Sequence, residues 1–102
     1  MNKAAERRIR VIRAFGRRLT LREAITVTIE RSKDGQWLVT GGECLGYGKS
    51  KGAALEDWKE DFAAAYDGLI GESDEKLTKG ARELRDKLAS MVAKDSKEGG
   101  EP

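Results

Sequence analysis

Residues 41–58, with the sequence GGECLGYGKSKGAALEDW, contain residue types that bind phosphate groups in many proteins. A nucleotide-binding phosphate loop requires G-x-x-x-x-G-K-[ST], a spacing that lets consecutive backbone N–H groups surround a phosphate before a helix begins. Gly48 and the two residues after it match the end of that motif, but the position where its first glycine belongs is Glu43. The motif is incomplete, and the sequence does not predict a nucleotide site here.

The same glycines have a second interpretation as backbone geometry. Gly46 and Gly48, on either side of Tyr47, would let a short strand turn directly into a helix, because glycine adopts φ values that are closed to other residues. Ser50 is then a suitable N-cap for that helix. Nothing in this geometry requires catalysis at the loop.

Side chains suited to catalysis or metal binding are scarce. Cys44 is the only cysteine and the chain has no histidine, which excludes an internal disulfide, a thiol–histidine pair and an ordinary zinc site. Glu56 and Glu60, like Asp57 and Asp61, lie one helical turn apart, but acids at this spacing are usually surface residues. We therefore predict a protein that is not an enzyme and has no cofactor, metal site or catalytic residue.

The length of 102 residues fits one domain with a single small core. Hydrophobic residues make up 38% of the chain and charged residues 37%, which predicts a folded centre with solvated ends. No apolar run approaches the ~18 residues of a membrane span, and the arginine-rich N-terminus lacks the apolar stretch of a signal peptide. We expect a soluble, cytoplasmic protein that does not bind a membrane.

Charge is strongly separated along the chain, although the formal net charge is only +2. Residues 1–22 contain eight basic side chains and one acid, and residues 53–75 contain eight acids and one lysine. Such a basic segment either binds a polyanionic or acidic partner or neutralises the chain's own acidic helix, and the sequence favours neither alternative. The candidate nucleic-acid-binding residues are its arginines: Arg7, Arg8, Arg10, Arg13, Arg17 and Arg18.

Residues 1–18 form the basic N-terminal arm in this interpretation. Ala5, Ile9 and Ile12 are at helical spacing, whereas the alternation of Ile9 and Val11 with arginines also fits a strand. The helix is the preferred interpretation, and the strand is the alternative.

Residues 19–71 form the predicted core. From Leu19 apolar and polar residues alternate, which predicts a strand, and a turn that ends at Gly35 leads into a second, antiparallel strand. A short third strand at residues 44–47 precedes a helix that stops near Gly71. The apolar stripe of this helix, typical of core rather than of a ligand pocket, consists of Leu55, Trp58, Phe62, Ala65 or Tyr66, and Leu69. The predicted fold class is α+β, with a three-stranded antiparallel sheet covered by an amphipathic helix.

Residues 72–94 form an additional C-terminal helix, and residues 95–102 form a frayed tail. Apolar residues of this helix repeat at alternating spacings of four and three, the pattern of a coiled-coil seam. The seam packs either on the chain's own domain or on a second copy, and its narrow width favours a homo-oligomer. The seam residues are Leu77, Ala81, Leu84, Leu88 and Met91.

The predicted order helix-strand-strand-strand-helix is similar to that of the double-stranded-RNA-binding domain. Residues 46–51 resemble the loop and helix start of that family, in which lysines then hold phosphates. Lys51 and Ala54 match the family pattern, but Gly52 and Leu55 stand at the other lysine positions, and the acidic helix would repel a phosphate backbone. Nucleic acid, the alternative to a protein partner, is therefore expected at the arginines of the N-terminal arm.

Residues 21–69, with the sequence LREAITVTIERSKDGQWLVTGGECLGYGKSKGAALEDWKEDFAAAYDGL, contain an Asp-Gly turn before an aromatic residue, a Gly-x-Gly-x-[Ser/Thr] corner and an Ala-Leu-Glu-Asp helix start. In these motifs the chain resembles the HicB-like antitoxin family. The resemblance implies a small α/β fold like a truncated ribonuclease H without its catalytic carboxylates. It also implies a non-catalytic antitoxin that binds an RNA-cleaving toxin, often as an oligomer that also binds operator DNA.

Overall fold

A computed structural model describes residues 4–97. This part of the chain forms, in order, β1 (Ala5–Ala14), β2 (Arg17–Arg31), β3 (Trp37–Gly41), β4 (Cys44–Gly48), α1 (Lys51–Ile70), α2 (Lys79–Met91) and β5 (Val92–Lys97). A short 3₁₀ helix at Asp74–Lys76 lies between the two α-helices. The architecture is α+β, with one antiparallel sheet that packs against the helices. Neither α-helix of the described residues has the length and apolar character needed to cross a membrane.

Strand β2 is the centre of the sheet. One edge of β2 pairs with β1, from Ala5 opposite Ile29 to Ala14 opposite Arg17. The other edge pairs with β3 at the C-terminal end of β2 and with β5 at its N-terminal end. β4 pairs with β3, and all these pairings are antiparallel. The predicted sheet of three strands is therefore corrected to five, because β1 and β5 add a strand to each edge of β2.

Strand β1 replaces the helix that we preferred for the N-terminal arm. Ile9 and Ile12 are both buried although they are three residues apart, because the register with β2 shifts between Ile9 and Val11. At this shift the single residue Arg10 of β1 lies across from four residues of β2, 21–24, and the three extra residues of β2 change which residues of β1 face the core. The apolar spacing of three in β1 therefore comes from a register irregularity and not from a helix. The helix-first order of the double-stranded-RNA-binding domain is consequently not found.

The core lies between the sheet and α1. Trp58 and Phe62 are fully buried with their ring centroids 5.8 Å apart, and the Trp58 indole N–H donates to the Gly41 carbonyl oxygen at 2.9 Å. Full burial of a large apolar side chain contributes roughly 2–3 kcal/mol to stability. The predicted stripe of α1 is confirmed: Leu55, Trp58, Phe62 and Tyr66 are buried, and Ala65 and Leu69 pack against them.

Local signals at the ends of α1 and at the β2–β3 turn are also confirmed. The Ser50 side chain caps α1 by accepting a hydrogen bond from the Ala53 N–H at 3.1 Å, and Gly71 is the C-cap. In the turn, Gly35 has a φ of +88°, a conformation that glycine adopts at low cost. Ser50 and Gly71 thus mark the two ends of α1, and the turn at Gly35 precedes the start of β3.

Helix α2 is shorter than the helix predicted for residues 72–94, and its apolar stripe faces the chain's own core. Leu88 is only 1% exposed, and Leu84 and Met91 pack against the same core. Partial burial extends to the other two seam residues, Leu77 and Ala81. The stripe therefore packs on its own domain, and this packing does not require the second copy that its narrow width favoured.

Strand β5 occupies part of the predicted tail. Val92, opposite Leu21, and the residues up to Lys97 pair with β2, and both members of that first pair are buried. The strand was missed because it contains one buried apolar residue followed by mostly charged ones. Residues 98–102 of the predicted tail and residues 1–3 of the predicted arm lie outside the described part of the chain.

Candidate functional site

Helices cover one face of the sheet, and we call the opposite one the open face. Its side chains alternate along β2 with the buried residues Leu19, Leu21, Val27 and Ile29. Strand pairing arranges them in rows: Arg13 with Arg18 and Ser96; Val11 with Thr20 and Lys94; Arg8 with Thr26; Glu6 with Thr28, Thr40 and Leu45; Glu30 with Leu38 and Tyr47. Neighbouring strands lie about 4.8 Å apart, so these rows form one continuous surface.

The half of the open face nearest the β1–β2 turn is basic. Arg8, Arg13, Arg18 and Lys94 are exposed there, and Arg13 lies directly opposite Arg18. We call these four residues the basic end. Within the described residues, the three rows that contain them include no acid. Clustered charges of one sign raise the local potential and attract a polyanion.

Arg17 is turned away from the basic end and neutralises the chain's own acids. Its guanidinium forms ion pairs with Asp67 of α1 and Asp95 of β5, and it lies over the ring of Tyr66, 5.9 Å from the centroid. Burial and, to a smaller degree, the charge of Asp95 raise the pKa of Tyr66. Self-neutralisation, one of the two alternatives for the basic segment, therefore holds for Arg17.

Arg7 and Arg10 lie outside the rows of the basic end. Arg7 lies opposite Val27, on the side of the sheet that faces the helices. Arg10 lies at the register shift, across from residues 21–24 of β2, and its Nε donates to the Leu21 carbonyl oxygen at 3.0 Å. The structure thus brings together three of the six predicted arginines, which are Arg8, Arg13 and Arg18. It adds Lys94, which the sequence had placed at the end of a helix.

The turn between β1 and β2 lies beside the basic end and consists of Phe15 and Gly16. Both residues have positive φ, +54° and +70°. Two-residue hairpin turns of this kind favour asparagine, aspartate and glycine, whereas a bulky residue at positive φ is uncommon. The Phe15 side chain is also 61% exposed. Sequence analysis missed this residue because the arm was interpreted as a helix. Apolar residues alternate with arginines on both sides of Phe15-Gly16, and that pattern could have indicated two strands joined by a turn.

The other half of the open face is apolar. Tyr47 is 56% exposed and Leu45 is 49% exposed, and Leu38 lies half-buried opposite Tyr47. We call these three residues the apolar end. Glu6 and Glu30 lie in the same rows, so the two ends of the open face differ in charge as well as in polarity.

The glycine corner holds β4 against α1. A Cβ atom at Gly46 would lie 2.7 Å from the Cα of Trp58, and a Cβ atom at Gly48 would lie 2.7 Å from the carbonyl carbon of Ala53. Neither glycine has a positive φ. The geometric interpretation of the corner is therefore right, but its cause is the close approach of two backbones and not the unusual φ that we expected.

Asp57 and Asp61 close the outer edge of β4. The Asp57 carboxylate accepts a hydrogen bond from the Tyr47 N–H at 2.9 Å, and the Asp61 carboxylate accepts one from the Leu45 N–H at 3.1 Å. Backbone groups that are bonded in this way are not available to a strand from another chain. Among residues 4–97, no three histidine, cysteine, aspartate or glutamate side chains lie together so that they could hold a metal ion.

Cys44, at the start of β4, is only 5% exposed. Burial and then the negative charge of Asp61 raise the pKa of its thiol to about 12. Because the thiolate is the nucleophilic form, this cysteine is unreactive at neutral pH. Its place in the core fits a structural role.

No protein-family model, no curated protein and no solved structure matches this chain. The chemistry of the open face must be inferred from its own residues.

Proposed function

We propose that this chain is a non-catalytic, cytoplasmic protein that binds nucleic acid through the basic end of its open face. The observation that carries the proposal is the placement of Arg8, Arg13, Arg18 and Lys94 on one uncovered sheet face, in rows without an acid among the described residues. The acidic helix α1 packs on the opposite face of the sheet, away from this cluster.

The physical basis is the electrostatic binding of phosphates. A protein that contacts phosphates with lysine and arginine side chains releases condensed counterions, so its affinity falls steeply as the salt concentration rises. Side chains on adjacent strands of a packed sheet are held at nearly fixed separations, and less conformational freedom is lost on binding than from a disordered basic arm. The structure places Arg13 and Arg18 on such a support, because both flank the β1–β2 turn in one register pair.

The proposal is best tested by substitution. Deleting residues 1–18 would remove Ile9 and Ile12 from the core and would unfold the protein. We therefore choose the triple variant Arg8→Ser, Arg18→Ser and Lys94→Ser, in which three exposed charges of the basic end are lost. The matched control has the same change in net charge at exposed lysines outside the open face: Lys33→Ser, Lys76→Ser and Lys79→Ser.

We expect the triple variant to bind single-stranded and double-stranded DNA and RNA at least about tenfold more weakly at low salt, whereas the control retains most of its affinity. The dependence of log affinity on log salt should also become shallower by about 2 to 3 units, because about 0.7 to 0.9 is lost for each phosphate contact. Titrations by fluorescence anisotropy at several salt concentrations measure both quantities. An equal loss in the control would mean that net charge, and not the basic end, determines binding.

A protein partner is the second candidate, and the apolar end favours it. The order β2, β3, β4, α1 is the β-β-β-α order that the HicB-like resemblance implies, and Leu45 and Tyr47 expose apolar surface on its sheet. In this proposal the chain is an antitoxin-like protein that binds an RNA-cleaving toxin and self-associates. A neighbouring gene for a small basic ribonuclease, whose product co-purifies with this chain but not with its Leu45→Ser, Tyr47→Ser variant, would support it; an isolated gene counts against it.

A further inference from the structure

Phe15 is placed in a way that the stability of the fold does not explain. Its φ of +54° lies in the left-handed region, and its side chain is 61% exposed at the end of the β1–β2 hairpin. Asparagine or glycine would enter that region at lower cost, and a polar side chain would suit the contact with water. A residue that is unfavourable for both backbone and solvent points to a contact made outside the fold.

We propose that Phe15 stacks on an unpaired base of a single-stranded nucleic acid whose backbone lies on the basic end. This inference rests on the proposed function and adds the class of nucleic acid to it. An aromatic ring offers a flat surface on which every base can stack, so the contact does not depend on sequence. Bases in a duplex are already stacked on their neighbours, and contact with the ring would first require them to unstack.

The arrangement of the hairpin supports this contact. Arg13 is two residues from Phe15 along the chain, about 7 Å at the spacing of a strand, and Arg18 lies directly opposite Arg13. A phosphate held at this pair therefore has its attached sugar and base near the turn. Arg17, which follows the turn, is fixed by Asp67 and Asp95 and limits the movement of the hairpin below Phe15.

The variant Phe15→Asn tests the inference, because it removes the ring and introduces a residue suited to positive φ. We expect its melting temperature to rise by about 5 °C, since the left-handed conformation is strained for phenylalanine. We expect its affinity for single-stranded DNA to fall about tenfold, the usual effect of losing one stacked base. The variant Phe15→Trp should retain this affinity, and Ile70→Asn, at an exposed apolar residue of α1, is the control that should not change it.

Two probes separate stacking from charge. An oligonucleotide with 2-aminopurine should lose fluorescence on binding to the original chain and to Phe15→Trp but not to Phe15→Asn. Inorganic polyphosphate, which has charge but no bases, should bind the original chain and Phe15→Asn equally.

The outcomes distinguish this inference from the function on which it rests. Equal affinity of the original chain and Phe15→Asn for single-stranded DNA would overturn stacking and leave the nucleic-acid proposal intact. Equal losses on polyphosphate and DNA, or a lower melting temperature, would show that Phe15 supports the fold and would also overturn stacking. If the original chain binds neither polyphosphate nor DNA, the proposed function fails and the inference fails with it.

Discussion

The α1–β4 junction and the β1–β2 hairpin differ in how far packing determines their residues. At the junction, Gly46 lets two backbones touch, and Asp57 and Asp61 bond the outer N–H groups of the strand. At the hairpin, Phe15 is strained and exposed, and Arg18 stands uncovered on the open face. The residues of the junction are those that packing requires, whereas those of the hairpin are not. The comparison therefore separates sequence that maintains the fold from sequence that is available for binding.

The largest effect is expected from Gly46→Ala at the junction. Its new methyl group would lie 2.7 Å from the Trp58 Cα, and because that neighbour is backbone it has no rotamer through which to move away. Overpacking against a side chain typically costs 1–3 kcal/mol, and against backbone we expect a loss of about 3 kcal/mol or more from the free energy of unfolding. Urea unfolding followed by circular dichroism measures this loss.

Gly52→Ala, in the first turn of α1, is the matched control. Nothing lies within 4 Å of a Cβ atom at that position, and alanine favours a helix. The free energy of unfolding should therefore rise by about 0.5–1 kcal/mol. If Gly46→Ala is tolerated as well as this control, β4 and α1 are not in close contact and the junction does not differ from the hairpin in the way described.

A smaller effect is expected at the edge of β4, from Asp57→Ala combined with Asp61→Ala. Each substitution removes a carboxylate that accepts a backbone N–H, and each should lower the free energy of unfolding by about 1 kcal/mol. The uncovered N–H groups of Leu45 and Tyr47 should also let the edge pair with other chains, which sedimentation velocity would detect as association.

Glu56→Ala combined with Glu60→Ala is the control for this edge, because it changes the net charge of the same helix equally. Glu56 forms an ion pair with Lys59 at 3.2 Å, and an exposed pair of this kind contributes little to stability. We expect a nearly unchanged stability and no association. Association of both double variants would mean that lost charge repulsion, and not an open edge, drives it.

The same comparison explains which parts of the fold were accessible to sequence analysis. β2 and β3 were predicted from alternating apolar residues, β4 from the length of the segment between the glycines, and α1 from its apolar stripe, which from Leu55 to Tyr66 gives the face of the helix. β1 was not, because the register shift beside Ile9 interrupts its period of two and leaves Ile9 and Ile12 buried at a spacing of three. β5 was not, because Val92 is the one buried residue among its described side chains and the strand forms by pairing with β2, a contact between distant residues that has no local signal.

The candidate site was predictable in its composition but not in its arrangement. The arginines of the N-terminal segment are evident from the sequence, yet the face that each one occupies depends on the register of β1 with β2. For that reason Arg17, which bonds to Asp67, could not be told apart from Arg18, which remains on the open face. Lys94 joins the basic end only through the pairing of β5, so its contribution required the structure.

The smallest effect on the free energy of unfolding is expected at Cys44. Its dependence on pH measures how well the α1–β4 junction excludes water. Burial and Asp61 raise the pKa of its thiol from 9.0 to about 12, so the folded protein retains a proton that the unfolded chain loses between these pH values. The thiol's contribution to stability is fully present below about pH 9 and decreases as the pH rises toward 12.

The free energy of unfolding should therefore fall more steeply between pH 8 and 10 for the original chain than for Cys44→Ala, in which other titrating groups are unchanged. Denaturant titrations at each pH measure the difference between the two slopes. Iodoacetamide should label the folded protein at pH 8 far more slowly than the urea-unfolded chain, because the buried thiol remains protonated. Parallel slopes, together with rapid labelling of the folded protein, would mean that the junction opens as readily as the exposed hairpin, and the contrast between the two regions would not hold.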